Sequence, residues 1–415
     1  MIAREVATAA MRDAIKACDP ATRVSTALIS AAIKPRIAGR ELIGVAMGKS
    51  ALAMARGAGP VGRGIVVAPE TGEAPSGWRV MVGSHPEPDE RSQAAGEAVF
   101  DLIKSAKRAE VMLALISGGA SSLVERPLAP VEIGELRAVV HAVAAAGAPI
   151  REVNAVRSAL SSLKAGRLAR MTASSIITLA ISDVIGDDLF VIGSGPTVGS
   201  WLASSGQVDL TVELAARRAR ARAIVDRYGV DVPPSVDEVL DAEVDVAPQI
   251  VSRNDHAEIV ARAQAFAEAT CAALVSRDIA ASLIEAPLAQ DVAEVAAALA
   301  ATTGTVVAWG EPTVKLPAAP GQGGRAQHLA LLLARQLKGT DRCAFVVGSD
   351  GIDGPEPTGR PAPAGAFVDG KTWDRVTDPE GALARCDAGT ALAAIDALVV
   401  IGPTGINHAD LVIVG

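Results

Sequence analysis

The chain has 415 residues, half of them hydrophobic but only 2% aromatic, and a formal net charge of −8. Excess acid and scarce rings argue against a nucleic-acid binder, which needs cations for phosphates and rings for base stacking. No uncharged apolar stretch reaches the ~18 residues of a membrane span, and the length exceeds one ordinary core, so two domains are expected.

The chain opens on an amphipathic helix carrying Arg4, Glu5, Arg12 and Asp13. That pattern is not a signal peptide. Cys18, Cys271, Cys343 and Cys386 are far apart and form no CxxC pair, so a reducing cytoplasm is expected. Short apolar runs then recur at 41–48, 64–69, 111–119, 175–183, 305–311, 343–351 and 397–405, most of them separated by Ala-rich helical segments. Such alternation predicts an α/β fold with largely parallel strands. Ligands bind at the carboxyl ends of such strands, and here those ends carry Lys49, Ser117, Asp183, Glu311, Asp350 and Thr404. The basic run 215–227 reads as the solvated face of a helix. The Val/Asp/Pro-rich stretch 229–249 lacks a clear helical period and reads as a boundary. The domains are expected at 1–235 and 236–415. The Gly/Pro-rich stretch 349–370 reads as a long functional loop.

The motifs follow the strand ends. "GVAMGKS" (44–50) ends a strand and opens a helix, but only three residues separate Gly44 from Gly48, so it is not a P-loop. Lys49 still stands where a lysine meets a phosphate. His85 lies in the loop "SHPEPDE" (84–90), which either faces a site or turns the chain. "ISGGASSL" (116–123) sets two glycines after a buried strand, a pattern for a backbone phosphate nest or for a tight turn. "NAVRSALSSLKAGRLA" (154–169) looks like a helix bearing Arg157, Lys164 and Arg167, as ordinary surface helices do. "ISDVIGDDLFVIGSGPTV" (181–198) aims an apolar strand into Asp183, Asp187 and Asp188, oxygen donors for Mg²⁺ or acceptors for a hydroxyl proton. "GQGGRAQHLALLLARQL" (321–337) brings Gly323, Gly324 and Arg325 to the start of a helix, where free N–H groups, a positive dipole end and a guanidinium attract an anion. "GSDGIDGP" (348–355) spaces Asp350 and Asp353 like ligands. Cationic nests on one side and carboxylates on the other describe phosphoryl transfer with a metal.

Together these blocks, with "GEPTVKL" and "GPTGINHADL", resemble the glycerate 2-kinase family, whose C-terminal part is the MOFRL domain. The resemblance spans the chain. It implies a Rossmann-like N-terminal domain with a largely parallel sheet, a smaller α/β C-terminal domain and an active site in the cleft between them. It implies phosphorylation of the 2-hydroxyl of D-glycerate, or of a related small hydroxy acid, with ATP and Mg²⁺. Lys49, Arg325, Asp183 and Asp187 then take the catalytic places. Ser117, Gly118, Gly119, Ala120, Ser121, Gly323, Gly324 and Glu311 are expected at the nucleotide. Arg157, His85, His328, Asp350 and Asn407 are expected at the substrate, and Asp183, Asp187 and Asp353 at the metal. A homodimer is a further expectation. The chain departs from the family pattern at Ala326 and His328, which stand for Asn and Glu, and at Ile406, His408 and Ala409. An imidazole in place of a carboxylate changes charge and metal preference together. Two alternatives remain: a hydroxypyruvate reductase using NAD(P)H, against which the missing GxGxxG counts, and a ligand-binding relative without catalysis.

Overall fold

The computed structural model describes residues 2–182, 184, 186–198, 210–243, 255–355, 361–406 and 408–415. They form two compact units, Pro20–Val260 and Met1–Asp19 with Ala261–Gly415. This division differs from a single cut at 235/236. The helix Arg4–Ala17 buries Ala7, Ala10, Met11 and Ala14 against the helix Ala263–Val275 of the second unit.

The first unit is built on six strands: β1 (Leu42–Met47), β2 (Arg63–Ala68), β3 (Trp78–Val82), β4 (Val111–Ile116), β5 (Ser175–Ile181) and β6 (His256–Ala261). Their order is β3-β2-β1-β4-β5-β6, and the pairs from β3 across to β5 are all parallel. This is the Rossmann strand order, in which the direction of winding reverses between β1 and β4. Helices cover the sheet, so its central strands are apolar throughout rather than alternating: all of Val111–Ile116 is buried. β3 and β6 are edge strands, each broken by charged or polar residues, that the apolar runs do not announce.

Trp78 shows how tightly one face closes. Gly44 and Gly64 pair across β1 and β2, and Gly64 pairs with Trp78 across β2 and β3. The indole lies back over both glycines. A Cβ at Gly44 would stand 2.1 Å from Trp78 Cη2, and one at Gly64 2.7 Å from Cε3. The indole Nε1 donates to Gly59 O at 2.9 Å. Trp78→Ala is therefore expected to lower stability by about 3–5 kcal/mol, read from chemical denaturation, because the two glycines have no side chains to fill the void.

A helical layer completes this unit. Helices Ile133–Ala145, Ile150–Leu160, Leu210–Arg227 and Pro234–Asp241 bury Leu136, Val140, Val156, Ile224, Val236 and Leu240 together. The stretch expected as a boundary thus contains a packed helix, whose single buried turn of Val236, Val239 and Leu240 is too short to show a period. The arginines of 215–227 lie on a helix as expected, and several are paired: Arg217 with Glu213, Arg222 with Asp237 and Asp241, and Arg227 with Glu152.

Lys164 and Arg167 depart from the surface-helix reading. The helix ends at Leu160, and an irregular segment follows. Lys164 is buried there, with its Nζ 2.7 Å from Glu125 Oε2 and 3.2 Å from Val124 O. Arg167 Nη1 donates to the carbonyls of Ser158 and Ser161. Burial pulls the Lys164 ammonium below its usual range, and the Glu125 charge opposes that.

The second unit carries β7 (Ala281–Leu283), β8 (Thr305–Gly310), β9 (Cys343–Gly348), β10 (Gly365–Asp369), β11 (Leu398–Val399) and β12 (Asp410–Val414), in the order β11-β10-β9-β12-β8-β7. Among the described strands of this sheet β7 and β8 pair in parallel and the other strand pairs are antiparallel, against the sequence expectation of largely parallel strands. The helical crossover from β8 to β9 does run between two parallel strands. β12 has entered between them from the opposite direction. Its side chains alternate between two helical layers: Leu411 and Ile413 join Phe266 and Met11, whereas Val412 and Val414 join Leu329, Leu333 and Val295.

Candidate active site

In the first unit the expected residues gather where β1 and β4 end, at the reversal of strand order. β1 delivers Gly48 and Lys49. β4 delivers Ser117–Ser121. Gly48 has φ 125°, and a Cβ there would stand 2.2 Å from Ser117 Oγ, so the two turns touch backbone to side chain. They are also stitched together: Lys49 N donates to Gly118 O at 2.8 Å, and Ser50 N to Ser117 Oγ at 3.1 Å. The N–H groups of Gly118 and Gly119 make no hydrogen bond among the described residues, and Gly119 has φ 83°. A short helical turn, Ala120–Leu123, follows. Lys49 is exposed, and its Nζ has no partner among the described residues.

His85 closes one side. A Cβ at Gly119 would lie 3.0 Å from His85 Cδ2 and 3.3 Å from Lys49 Cγ, so the three converge. Burial, then the Lys49 charge, holds the His85 imidazole below its ordinary value. That shift favours the neutral imidazole, which can accept as well as donate. Ser121 Oγ sits 2.5 Å from Ser194 Oγ, which brings the turn Gly193–Gly195 against the nest. That turn hangs on the buried lysine segment, because Ala165 N donates to Ser194 O and Gly166 N to Gly195 O. Ser194 lies in the Gly-Ser-Gly end of the motif 181–198, whereas Glu125 belongs to the architecture of this site although nothing in its local sequence marks it.

Asp187 lies in the loop after β5, the strand next to β4, with φ 51°. Asp183 lies outside the described residues. Arg157 stands on the helix Ile150–Leu160 with Nη1 3.3 Å from Asn154 Oδ1. Burial lowers its pKa, against the charges of Glu125 and Glu87.

The second unit holds a separate pocket of about 270 Å³ lined by Glu311, Arg325, Ser349, Asp350, Asp353 and Asp410, among others. β8 and β9 end here. β12 begins here, since it runs the other way. The helix Arg325–Gln336 starts at the expected place. The N–H groups at its first turn already face an anion of the protein itself. Asp353 Oδ1 accepts from Ala326 N at 3.0 Å, and Oδ2 from Gln327 N at 2.8 Å and Gln327 Nε2 at 2.9 Å. The glycine at 324 permits that approach, because a Cβ there would meet Asp353 Oδ1 at 2.2 Å. Burial pushes the Asp353 carboxyl up, and these N–H donors pull it back.

Arg325 is the cation of this pocket. Its Nε donates to Asp410 Oδ2 at 2.5 Å and its Nη2 to Asp410 Oδ1 at 3.3 Å; Nη2 also reaches Glu311 Oε1 at 3.2 Å. Burial works against its charge, but the Asp410 bonds prevail and raise its pKa. Burial pushes Asp410 up to about 7, against the pull of Arg325. Asp350 turns one oxygen to Ile352 N at 3.1 Å. His328 is not among the pocket-lining residues. It is half-buried on the next turn of the helix, its pKa lowered by burial and raised by Asp291. Asn407 lies outside the described residues. Asp410 is a retained position of the last family block, but no site role was expected of it. The signal available was an acid directly before an apolar run, "DLVIV", which in an antiparallel strand places the acid at the ligand edge.

No cluster of three metal-ligating side chains occurs among the described residues. Mg²⁺ borne by a nucleotide needs no such cage, since one or two carboxylates and the phosphates complete its shell. The loop of Asp187 fits that lesser demand. The open N–H groups of Gly118 and Gly119 beside Lys49 fit the phosphates.

Residues 6–241 match a family model described as a domain of unknown function, DUF4147, and residues 304–410 match the MOFRL family. A D-glycerate 2-kinase of Thermotoga maritima is 32% identical, with 91% of each chain covered. A protein of Agrobacterium vitis with a provisional hydroxypyruvate reductase name is 35% identical over 84% of this chain and 80% of its own. The crystal structure of a glycerate kinase from Thermotoga maritima superposes with a TM-score of 0.84 at 28% identity, covering 99% of this chain and 98% of that one. The two-domain glycerate kinase fold is thereby present, and the chain belongs to the glycerate 2-kinase family of joined DUF4147 and MOFRL regions.

Proposed function

We propose that this protein transfers the γ-phosphoryl group of ATP to the 2-hydroxyl of D-glycerate. The observation that carries the reading is the β1/β4 turn pair, where two unspent N–H groups and an exposed, unpartnered lysine converge at a Rossmann switch point. Phosphoryl transfer asks little covalent chemistry of a protein; it asks for charge and position. The nest at Gly118–Gly119 would hold nucleotide phosphates, and Lys49 would neutralise charge on the transferred group. Neutral His85 can hydrogen-bond a substrate oxygen. Arg325, fixed by Asp410, would take the substrate carboxylate or a phosphate. Asp187, with Asp183, would accept the hydroxyl proton or hold Mg²⁺, which supplies charge neutralisation at the phosphates when bound. No helix among the described residues is long and apolar enough to cross a membrane.

A coupled ADP-release assay with ATP, Mg²⁺ and D-glycerate is expected to give turnover, and phosphorus NMR to show 2-phosphoglycerate. NADH oxidation with hydroxypyruvate, without ADP formation from glycerate, would replace this reading by the reductase.

A further inference from the structure

Arg325 is gripped by two carboxylates of unequal permanence. Asp410 uses both oxygens, its side chain is 8% exposed, and it opens β12 with pairing to both β8 and β9. Glu311 offers one 3.2 Å contact, is 52% exposed, and stands one residue past the end of β8. A guanidinium has two forks that match a carboxylate or phosphate: the side formed by Nε and one Nη, and the end formed by Nη1 and Nη2. Asp410 fills the side fork. Of the end fork, Glu311 caps Nη2, while Nη1 makes no hydrogen bond among the described residues.

We propose that Glu311 is a displaceable counter-ion: it occupies the end fork of Arg325 until an oxyanion of the ligand takes its place, while Asp410 stays as the positioning residue. The inference rests on the reading that this pocket receives an anionic ligand. An exposed ion pair held by one contact is weak, so displacement costs the ligand little, and the freed Nη1 and Nη2 then bind it on two prongs.

The test is equilibrium titration of the full chain with inorganic phosphate and with D-glycerate, in EDTA, for wild type, Glu311→Gln and Glu311→Asp. Both variants are expected to bind at least one of the anions about 2- to 5-fold more tightly than wild type, the range an exposed pair supports. Aspartate is the informative change, because it keeps the charge but is one methylene too short for the contact. If Glu311→Asp binds like wild type and only Glu311→Gln gains, the effect is local charge and the proposal fails. If both bind more weakly, Glu311 serves the ligand directly and the proposal fails. No saturable binding to any of the three proteins also overturns it. Tighter binding in a protein that shows no ATP-dependent glycerate turnover would remove the kinase reading and leave this one standing. Unchanged binding in an active kinase would do the reverse.

Discussion

Lys49→Ala is expected to lower turnover about a hundred- to a thousandfold, the loss typical of removing one preorganised charge from a transition state. Its thermal unfolding should match wild type, since Lys49 is exposed and its ammonium has no partner to lose among the described residues. The fold of the turn does not depend on the side chain: the backbone bond from Lys49 N to Gly118 O survives truncation. Steady-state kinetics and a melting curve on the same sample check both halves. Near-normal turnover would take Lys49 out of the mechanism. A fall in melting temperature matching the fall in activity would mean that it is structural.

The opposite pattern is expected at Lys164. Lys164→Met leaves the carboxylate of Glu125 buried without its countercharge, and is expected to cost about 3–5 kcal/mol of stability in urea or guanidinium unfolding. Adding Glu125→Leu should recover much of that, because a buried ion pair replaced as a whole by apolar side chains is often near neutral. Recovery will be incomplete: the Glu125 charge also acts on Arg157 and Arg167. If Lys164→Met and the double variant are equally destabilised, the cost lies in lost packing rather than in an orphaned charge. Activity should fall in Lys164→Met even where the protein is folded, since the 164–166 turn carries the Gly193–Gly195 turn that meets Ser121.

The parallel core was legible because burial on both faces makes a strand apolar throughout. The runs at 41–48, 64–69, 111–119 and 175–183 became β1, β2, β4 and β5. β3, β6, β7, β10 and β12 were not read, being short, edge-placed or interrupted by polar residues, and the run at 397–405 yields only the two residues of β11. Antiparallel order in the second unit was hidden for a different reason. Nothing local in "DLVIV" states that it inserts between two strands already joined by a helix. The candidate site divides in the same way. Lys49, Ser117, Gly118 and Glu311 were visible because strand ends mark them, and Arg325 because two glycines before a helical period mark a helix start. Three features needed contacts far apart in the chain: the burial of Lys164 on Glu125, the capping of the Arg325 helix by Asp353 and the clamp of Asp410. A carboxylate reads as a ligand in sequence whether it serves a metal, a guanidinium or a helix end. Only its partner decides.

The division of the chain bears on synthesis. The unit Pro20–Val260 is one continuous stretch, free to fold as it leaves the ribosome. The other unit is interrupted by it. The helix Arg4–Ala17 is made ahead of that unit, yet its apolar stripe has no seat until Ala263–Val275 has been made, and β12, which lies mid-sheet between β9 and β8, follows the other described strands. Until Ala263–Val275 follows, that helix has its apolar face uncovered, a site of the kind that chaperones hold in an unfinished chain.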